Sequence, residues 1–247
     1  VAGMPLMESK GVKRKILNAV ERLTYACATK VYPNSFGLKE IILANKFTKV
    51  SKLKVIANGS SNGIDTSYFN PKLFSKEENE ILKTNLGIKK TDFVFIFVGR
   101  LVADKGINEL IKVFNELSIE NENVKLLLVG QFESDLDPVN KRTISIIDDN
   151  KKIISTGFQK DVRPYFSIAN ILTFPSYREG FPNVVMQAGA MMLPSIVTDI
   201  NGCNEIIVEG ENGWIIPVKN EVSLLNAMKN CFTLSNEFIK VKLNARK

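Results

Sequence analysis

The sequence predicts an α/β protein built on a doubly wound parallel sheet, with part of another domain in front of it. Three observations carry this expectation. From residue 93 onward, short β-rich runs alternate with segments of helical periodicity. The run over residues 93–98, Phe-Val-Phe-Ile-Phe-Val, is apolar throughout, as a buried strand requires. Several strand-like runs are also followed by glycine-containing loops that lead straight into a helix.

Taken in order, residues 107–117 place Ile107, Leu110, Ile111, Phe114 and Leu117 at helical spacing. A strand follows over residues 124–129. Asp137 before Pro138 reads as a cap and first helical residue, because proline's missing N–H is no loss there. Further strands are expected over residues 152–155, 171–174 and 195–198, with helices beginning near Asp161, near Pro182, after Asn201 and near Asn220. Upstream, residues 54–57 read as a first strand, followed by the turn-rich loop 58–63. The first ~50 residues suggest a helix, a short strand over 30–32 and a second helix over 38–45, too little for an independent core. Residues 1–50 are therefore expected to be the remainder of a preceding domain and residues 51–247 the main one, with the boundary over 48–52.

Composition narrows the chemistry. The 247 residues contain no histidine, which removes Ser-His-Asp and Cys-His schemes and imidazole metal sites from this chain. Three widely spaced cysteines, Cys27, Cys203 and Cys231, form no C-x-x-C pair and read as reduced thiols of a cytosolic protein. No apolar run approaches the ~20 residues of a membrane span, and Val1 with no charged and apolar leader argues for a fragment rather than a signal peptide. The net charge of +7 favours a polyanionic partner. Lys10, Lys13, Arg14 and Lys15 open a segment with Ile16, Leu17, Val20, Leu23 and Tyr25 at roughly helical spacing. It reads as an amphipathic helix packed on its own domain, with peripheral contact to an anionic membrane as the alternative. No zinc finger, aromatic-basic sheet signature or basic zipper supports nucleic acid.

Ligands of open α/β sheets bind beyond the carboxyl ends of the strands, so the loops there carry the functional reading. After residues 93–98 comes Gly99-Arg100-Leu101-Val102-Ala103-Asp104-Lys105-Gly106, two cations at a helix start. The helix dipole and free amides favour an anion there, Arg can hold phosphate bidentately and Lys adds a movable charge, so a diphosphate is the natural guest. Taken alone, the two cations read rather as solvated loop charges. After residues 171–174 the loop runs Pro175-Ser176-Tyr177-Arg178-Glu179-Gly180-Phe181-Pro182-Asn183 into a helix beginning with Val184. Amides of residues 181–184 would face a bound anion, and Gly180 would permit close approach. Glu179 suits sugar hydroxyls or a cationic sugar in a transition state, or else it is simply a favourable acid at a helix start. Gln187 lies one turn further, within reach of a ribose. A third loop, Ser155-Thr156-Gly157-Phe158-Gln159-Lys160-Asp161, could seat a base against Phe158. The triplet Asp135-Leu136-Asp137 imitates a metal-binding D-x-D, but capping before Pro138 accounts for it better.

These residues together resemble the family 4 retaining glycosyltransferases. The likeness rests on Gly99-Arg100 with Lys105, and on Glu179-Gly180-Phe181-Pro182-Asn183 with a polar residue eight positions after the glutamate. Asn62-Gly63-Ile64-Asp65, Leu128-Val129-Gly130, Gly157-Phe158 and Glu209-Gly210-Glu211-Asn212-Gly213 fit as well. It runs from about residue 54 to 230, and more loosely over the first 50. The resemblance implies the Rossmann-like C-terminal half of a GT-B fold. It also implies a nucleoside diphosphate sugar as substrate, no metal or other cofactor, and transfer with retention to a glycan or lipid-linked acceptor. Arg100 and Lys105 would neutralise the departing diphosphate and Glu179 would contact the sugar. Gly180, Phe181, Pro182, Asn183 and Val184 would hold phosphate or sugar, and Gln187, Phe158 and Gly130 would complete the donor site. Glutamine at 187 departs from the family's usual second glutamate, although an amide can still accept from a ribose hydroxyl. The expected donor is a UDP-sugar and the expected setting bacterial surface-polysaccharide assembly at the inner face of a membrane. The acceptor half is mostly missing, so the chain alone is expected to be inactive. A nicotinamide oxidoreductase would want G-x-G-x-x-G with an acid ~20 residues on, which these loops do not offer. A non-catalytic nucleotide-sugar-binding protein and a sugar-nucleotide epimerase of the same fold remain rivals.

Overall fold

The computed structural model describes residues 1–247 except 2, 3, 5–8, 134, 136, 234 and 247. Helices α1 (Gly11–Cys27) and α2 (Phe36–Ala44) come first, then α3 (Lys76–Asn85). From there strands and helices alternate. β1 (Phe93–Val98) precedes α4 (Ile107–Glu120), β2 (Val124–Val129) precedes α5 (Lys141–Asp149), and β3 (Ile153–Ser155) precedes α6 (Arg163–Ile168). β4 (Ile171–Phe174), α7 (Asn183–Ala190), β5 (Ser195–Thr198), α8 (Cys203–Ile206) and β6 (Gly213–Ile216) follow, then α9 (Glu221–Thr233) and α10 (Ser235–Asn244). The six strands form one parallel sheet in the order β3-β2-β1-β4-β5-β6. This is the Rossmann-like, doubly wound arrangement expected from the sequence.

The apolar runs become strands because both faces of the sheet are covered. β1 lies at its centre, with Phe95 level with Leu126 of β2 on one side and Ile171 of β4 on the other. Phe95, Phe97, Phe114 and Phe166 are fully buried, each worth ~1.5–3 kcal/mol of burial. Phe97 stacks on Phe174 with ring centroids 5.8 Å apart, which ties the two central strands together. The chain winds outward from β1 to β3 and then returns to β4, so the winding reverses between β1 and β4. The loops leaving those two strands are thereby side by side at the switch point, where open α/β sheets take ligands.

Several local expectations are corrected. Residues 54–57 and 30–32 are not strands; Val31 and Leu53 form one isolated parallel bridge, with the Lys54 amide bonded to the Val31 carbonyl. Among the described residues no further strand pairs with them, and two residues in register do not extend a ladder. No helix starts at Pro138. Helix α5 begins at Lys141, capped by the Asn140 side chain accepting from the Thr143 amide at 2.8 Å. Asp137 cannot cap it, because its carboxylate accepts the Asp104 amide at 2.6 Å. Leu136, the middle of the D-x-D-like triplet, lies outside the described residues. Strand β6 and helices α3 and α10 were not anticipated. Asp161 does accept the Arg163 amide at the start of α6, at 3.0 Å, and also pairs with the Arg163 guanidinium at 2.6 Å.

Helix α1 does not pack its apolar stripe as expected. Tyr25 is buried and Leu17 half-buried, but Val12, Ile16, Val20 and Leu23 are exposed. The small second core of Met4, Tyr25, Val31, Leu38, Ile42, Phe47 and Leu53 covers only one side of the helix.

Candidate functional site

The loop after β1 starts at Gly99 and is locked to the loop after β2 at Gly130. Both have positive φ, and a Cβ on Gly130 would lie 1.8 Å from the Gly99 carbonyl oxygen. The backbones can therefore touch only without side chains. Arg100 follows, half-exposed, its Nη1 2.8 Å from Glu133 Oε2. A single 3-10 turn, Ala103–Lys105, is anchored by Asp137 through the Ala103 and Asp104 amides. It ends at Gly106, whose left-handed conformation brings it against the β4 loop: a Cβ there would lie 2.2 Å from the Pro175 carbonyl oxygen.

Two ion pairs stitch the β1 and β4 loops together. Lys105 Nζ lies 2.6 Å from Glu179 Oε1, with only 15% and 17% of the two side chains exposed. Asp104 Oδ2 lies 3.2 Å from Arg178 Nη2. The Tyr177 amide adds a bond to the Asp104 carbonyl. The Ser176 hydroxyl lies 2.9 Å from the same Glu179 oxygen, and Ser176 is itself held by a hydrogen bond from the Thr198 hydroxyl to its carbonyl. Burial pushes the Cys203 thiol well up, with the nearby Glu179 carboxylate adding to it, so the cysteine stays a thiol beneath the site.

Helix α7 starts just beyond Glu179. Among the described residues, no hydrogen bond takes up the amides of Gly180, Phe181, Asn183 or Val184. Asn183 and Val184 are free first-turn donors of the kind a helix start offers an anion, and Gly180 and Phe181 lie just before the cap, Pro182. Arg100, Lys105, Glu179 and Gly180 share the walls of a cleft of about 570 Å³ with Asp104 and Asn201, while Asn183 and Val184 stand outside its lining. Gly37, Leu38 and Ile41 of the N-terminal segment line it as well.

The structure thus brings Arg100, Lys105, Glu179 and Gly180 into one cleft. Phe181 packs instead under Gly59, and Pro182 is buried at the cap of α7. Phe158 is 71% exposed; it, Gly130 and Gln187 do not line the cleft. Ser176, Asp104, Arg178 and Asn201 escaped sequence reasoning. The available signal was their position in loops at the same sheet edge. Among the described residues no cluster of His, Cys, Asp or Glu is grouped to hold a metal ion.

Comparison with known proteins identifies the family. A family model described as "Glycosyl transferases group 1" matches residues 78–247. The chain belongs to that family. It is 32% identical over 216 residues to the capsular polysaccharide biosynthesis glycosyltransferase CapM of Staphylococcus aureus, covering 87% of this chain and 55% of CapM. It is 26% identical over 227 residues to an Escherichia coli UDP-Gal:alpha-D-GlcNAc-diphosphoundecaprenol alpha-1,3-galactosyltransferase, covering 89% and 56%. Among solved structures, Anabaena Alr3699/HepE in complex with UDP superposes with a TM-score of 0.83 at 20% identity, over 99% of this chain and 64% of that one. The fold is therefore that of the C-terminal half of GT-B glycosyltransferases, and the chain spans about half the length of these curated relatives.

Proposed function

We propose that the cleft binds a nucleoside diphosphate sugar, a UDP-sugar in particular, and that the whole protein transfers the sugar with retention to a glycan or lipid-linked acceptor. One observation supports the reading above others: Arg100, Lys105, the Glu179 carboxylate and Gly180, whose amide has no partner among the described residues, share one cleft at the switch point of the sheet. Arg100 and Lys105 take the diphosphate and neutralise the charge that grows as it leaves, a contribution available where field lines run through partly buried surroundings. Gly180, Phe181, Asn183 and Val184 offer backbone donors to phosphate or sugar, with Pro182 fixing the entry to the helix. Glu179 accepts from sugar hydroxyls and stabilises the oxocarbenium-like sugar while the acceptor attacks from the face the diphosphate leaves. Since Gln187 and Phe158 stand outside the cleft lining, the ribose and base would extend past it to reach them, and Gly130 holds the neighbouring loop close. The positive charge for this chemistry comes from side chains and amides, without a metal.

Residues 1–50 read as the end of an acceptor domain and residues 51–247 as the donor domain. The separate small core around Tyr25 and Ile42 supports that division. Because its relatives are nearly twice as long, this chain alone is proposed to bind donor without transferring sugar. Capsular and undecaprenol-linked relatives favour surface-polysaccharide assembly on the cytoplasmic side of a membrane. No helix among the described residues is long and apolar enough to cross one. The exposed stripe of α1, flanked by Lys13, Lys15 and Arg22, suits a peripheral contact with anionic lipid; unchanged sedimentation with anionic vesicles would remove that part of the reading. Isothermal titration calorimetry tests the rest. UDP and at least one UDP-sugar should saturate the site while NAD gives a flat trace, and no heat with any nucleoside diphosphate would refute the assignment.

A further inference from the structure

Asn201, in the turn after β5, lies on the wall of the cleft and reaches across to the Glu179 loop. Its Nδ2 donates to the Glu179 carbonyl at 2.5 Å and approaches the Gly180 carbonyl at 3.4 Å. Gly202 presses on the same peptide. At φ +80 it has no side chain, and a Cβ there would lie 2.4 Å from the Gly180 carbonyl oxygen and 2.8 Å from the Phe181 Cα. Two consecutive carbonyls of the donor loop are therefore turned toward the Asn201-Gly202 turn.

The consequence follows from peptide geometry. In a trans peptide the C=O and N–H point in opposite directions, and no cis peptide is present among the described residues. Holding the carbonyls of residues 179 and 180 on one side turns the N–H groups of Gly180 and Phe181 to the other. Those are two of the amides left without a partner among the described residues.

Asn201 has little freedom to let go. On its far side the start of α2 closes in, because a Cβ on Gly37 would lie 2.5 Å from the Asn201 Cβ. Glu205, in the short helix that follows, accepts the amides of Phe36 at 2.7 Å and Gly37 at 2.9 Å. It lies 3.3 Å from the Gly202 amide as well. The turn is clamped from both sides.

We propose that Asn201 is a positioning residue: by holding the Glu179 and Gly180 carbonyls it presents the Gly180 and Phe181 amides to the phosphates of a nucleoside diphosphate. The proposal rests on the donor-site reading above. It does not give Asn201 a contact with the ligand; the side chain acts through the orientation of two peptides. Without it the Glu179–Gly180 peptide is free to flip, and a flipped peptide offers the anion a carbonyl oxygen in place of an N–H.

The test is ¹H–¹⁵N spectroscopy and calorimetry of this chain with UDP as the probe. In the unsubstituted chain, UDP should shift the Gly180 and Phe181 amide resonances together with that of Val184. Asn201→Ala should weaken UDP about tenfold and abolish the Gly180 and Phe181 shifts while leaving the Val184 shift in place, a pattern that general loosening would not give. Equal affinity with unchanged shifts at 180 and 181 would overturn the proposal and leave the donor-site reading intact. An unsubstituted chain that ignores UDP would overturn both. Should Asn201→Ala lower the melting temperature so far that binding cannot be measured, Asn201→Ser is read by the same two resonances and the same criteria.

Discussion

Substituting Glu179 by glutamine should tighten UDP binding, although Glu179 stands in the centre of the proposed site. The reason is the ion pair. Lys105 Nζ and Glu179 Oε1 are 2.6 Å apart with five-sixths of each side chain covered. A unit pair at ~4 Å and an effective dielectric near 20 is worth about 4 kcal/mol of attraction. Lost hydration offsets much of that, leaving ~1–2 kcal/mol by which the carboxylate competes with a diphosphate for the same ammonium. Glu179→Gln removes the competitor and one negative charge facing the ligand, so UDP should bind about five- to thirtyfold more tightly. Lys105→Met acts in the opposite direction. Losing one charge-assisted contact of ~1.5–3 kcal/mol should weaken UDP about ten- to hundredfold. A UDP-sugar should gain less than UDP from Glu179→Gln, because the carboxylate's bonds to sugar hydroxyls are lost. Titration calorimetry at fixed salt, with melting temperatures recorded alongside, separates these effects from misfolding. If Glu179→Gln weakens UDP tenfold in a chain that melts normally, the carboxylate is not a competitor for Lys105 and the charge argument fails.

The remaining predictions concern the framework and the metal. Gly130→Ala should destabilise by ~3 kcal/mol or more, because its Cβ would meet the Gly99 carbonyl at 1.8 Å. Gly157→Ala, at φ +68 with open space around it, should lose only the left-handed strain of ~1–2 kcal/mol; equal losses in urea titrations would contradict the close-contact reading. Phe114→Ala should lose ~3–5 kcal/mol from the central core, read as an earlier urea midpoint. The Arg163 guanidinium holds the Asp161 carboxyl below the usual carboxylate range through its hydrogen bonds. A depressed folded-state pKa stabilises above the unfolded value of ~3.9 and is lost as pH falls through the folded value. The melting-temperature gap between the unsubstituted chain and Asp161→Asn should therefore narrow below pH 4, and a gap that is constant down to pH 2 would rule the linkage out. A chelator should leave UDP affinity unchanged; loss on chelation, reversed by manganese, would demand a metal site.

The sheet was legible because its strands are buried on both faces. Phe93–Val98 needs no alternation to declare itself, and each loop at its carboxyl edge is short enough to read as one unit. Short edge elements were not legible. Gly213-Trp214-Ile215-Ile216 offers only three apolar residues behind a turn motif, and it becomes β6 because β5 supplies a ladder for all four. Residues 54–57 have as much β character and no ladder to join, so they stay irregular. Pro138 gave a correct local preference that lost to a longer-range one: Asp137 caps the turn at Asp104, 33 residues back, and the helix waits for Asn140.

The site shows the same division between local and distant information. Arg100, Lys105, Glu179 and Gly180 could be named because each sits in a loop after a strand, and the switch between β1 and β4 puts those loops together. That Lys105 is already paired with Glu179, 74 residues away, is a property of the fold. So is the grip of Asn201 on the Glu179 carbonyl, since asparagine after a strand is equally at home in any turn. The consequence for the chemistry is specific. A cation read from sequence as free to receive a phosphate is, in the folded chain, paired with the carboxylate proposed for the sugar. Under the proposed donor reading, a diphosphate that drew Lys105 away from Glu179 would free the carboxylate for the sugar, so that one rearrangement would ready both ends of the site.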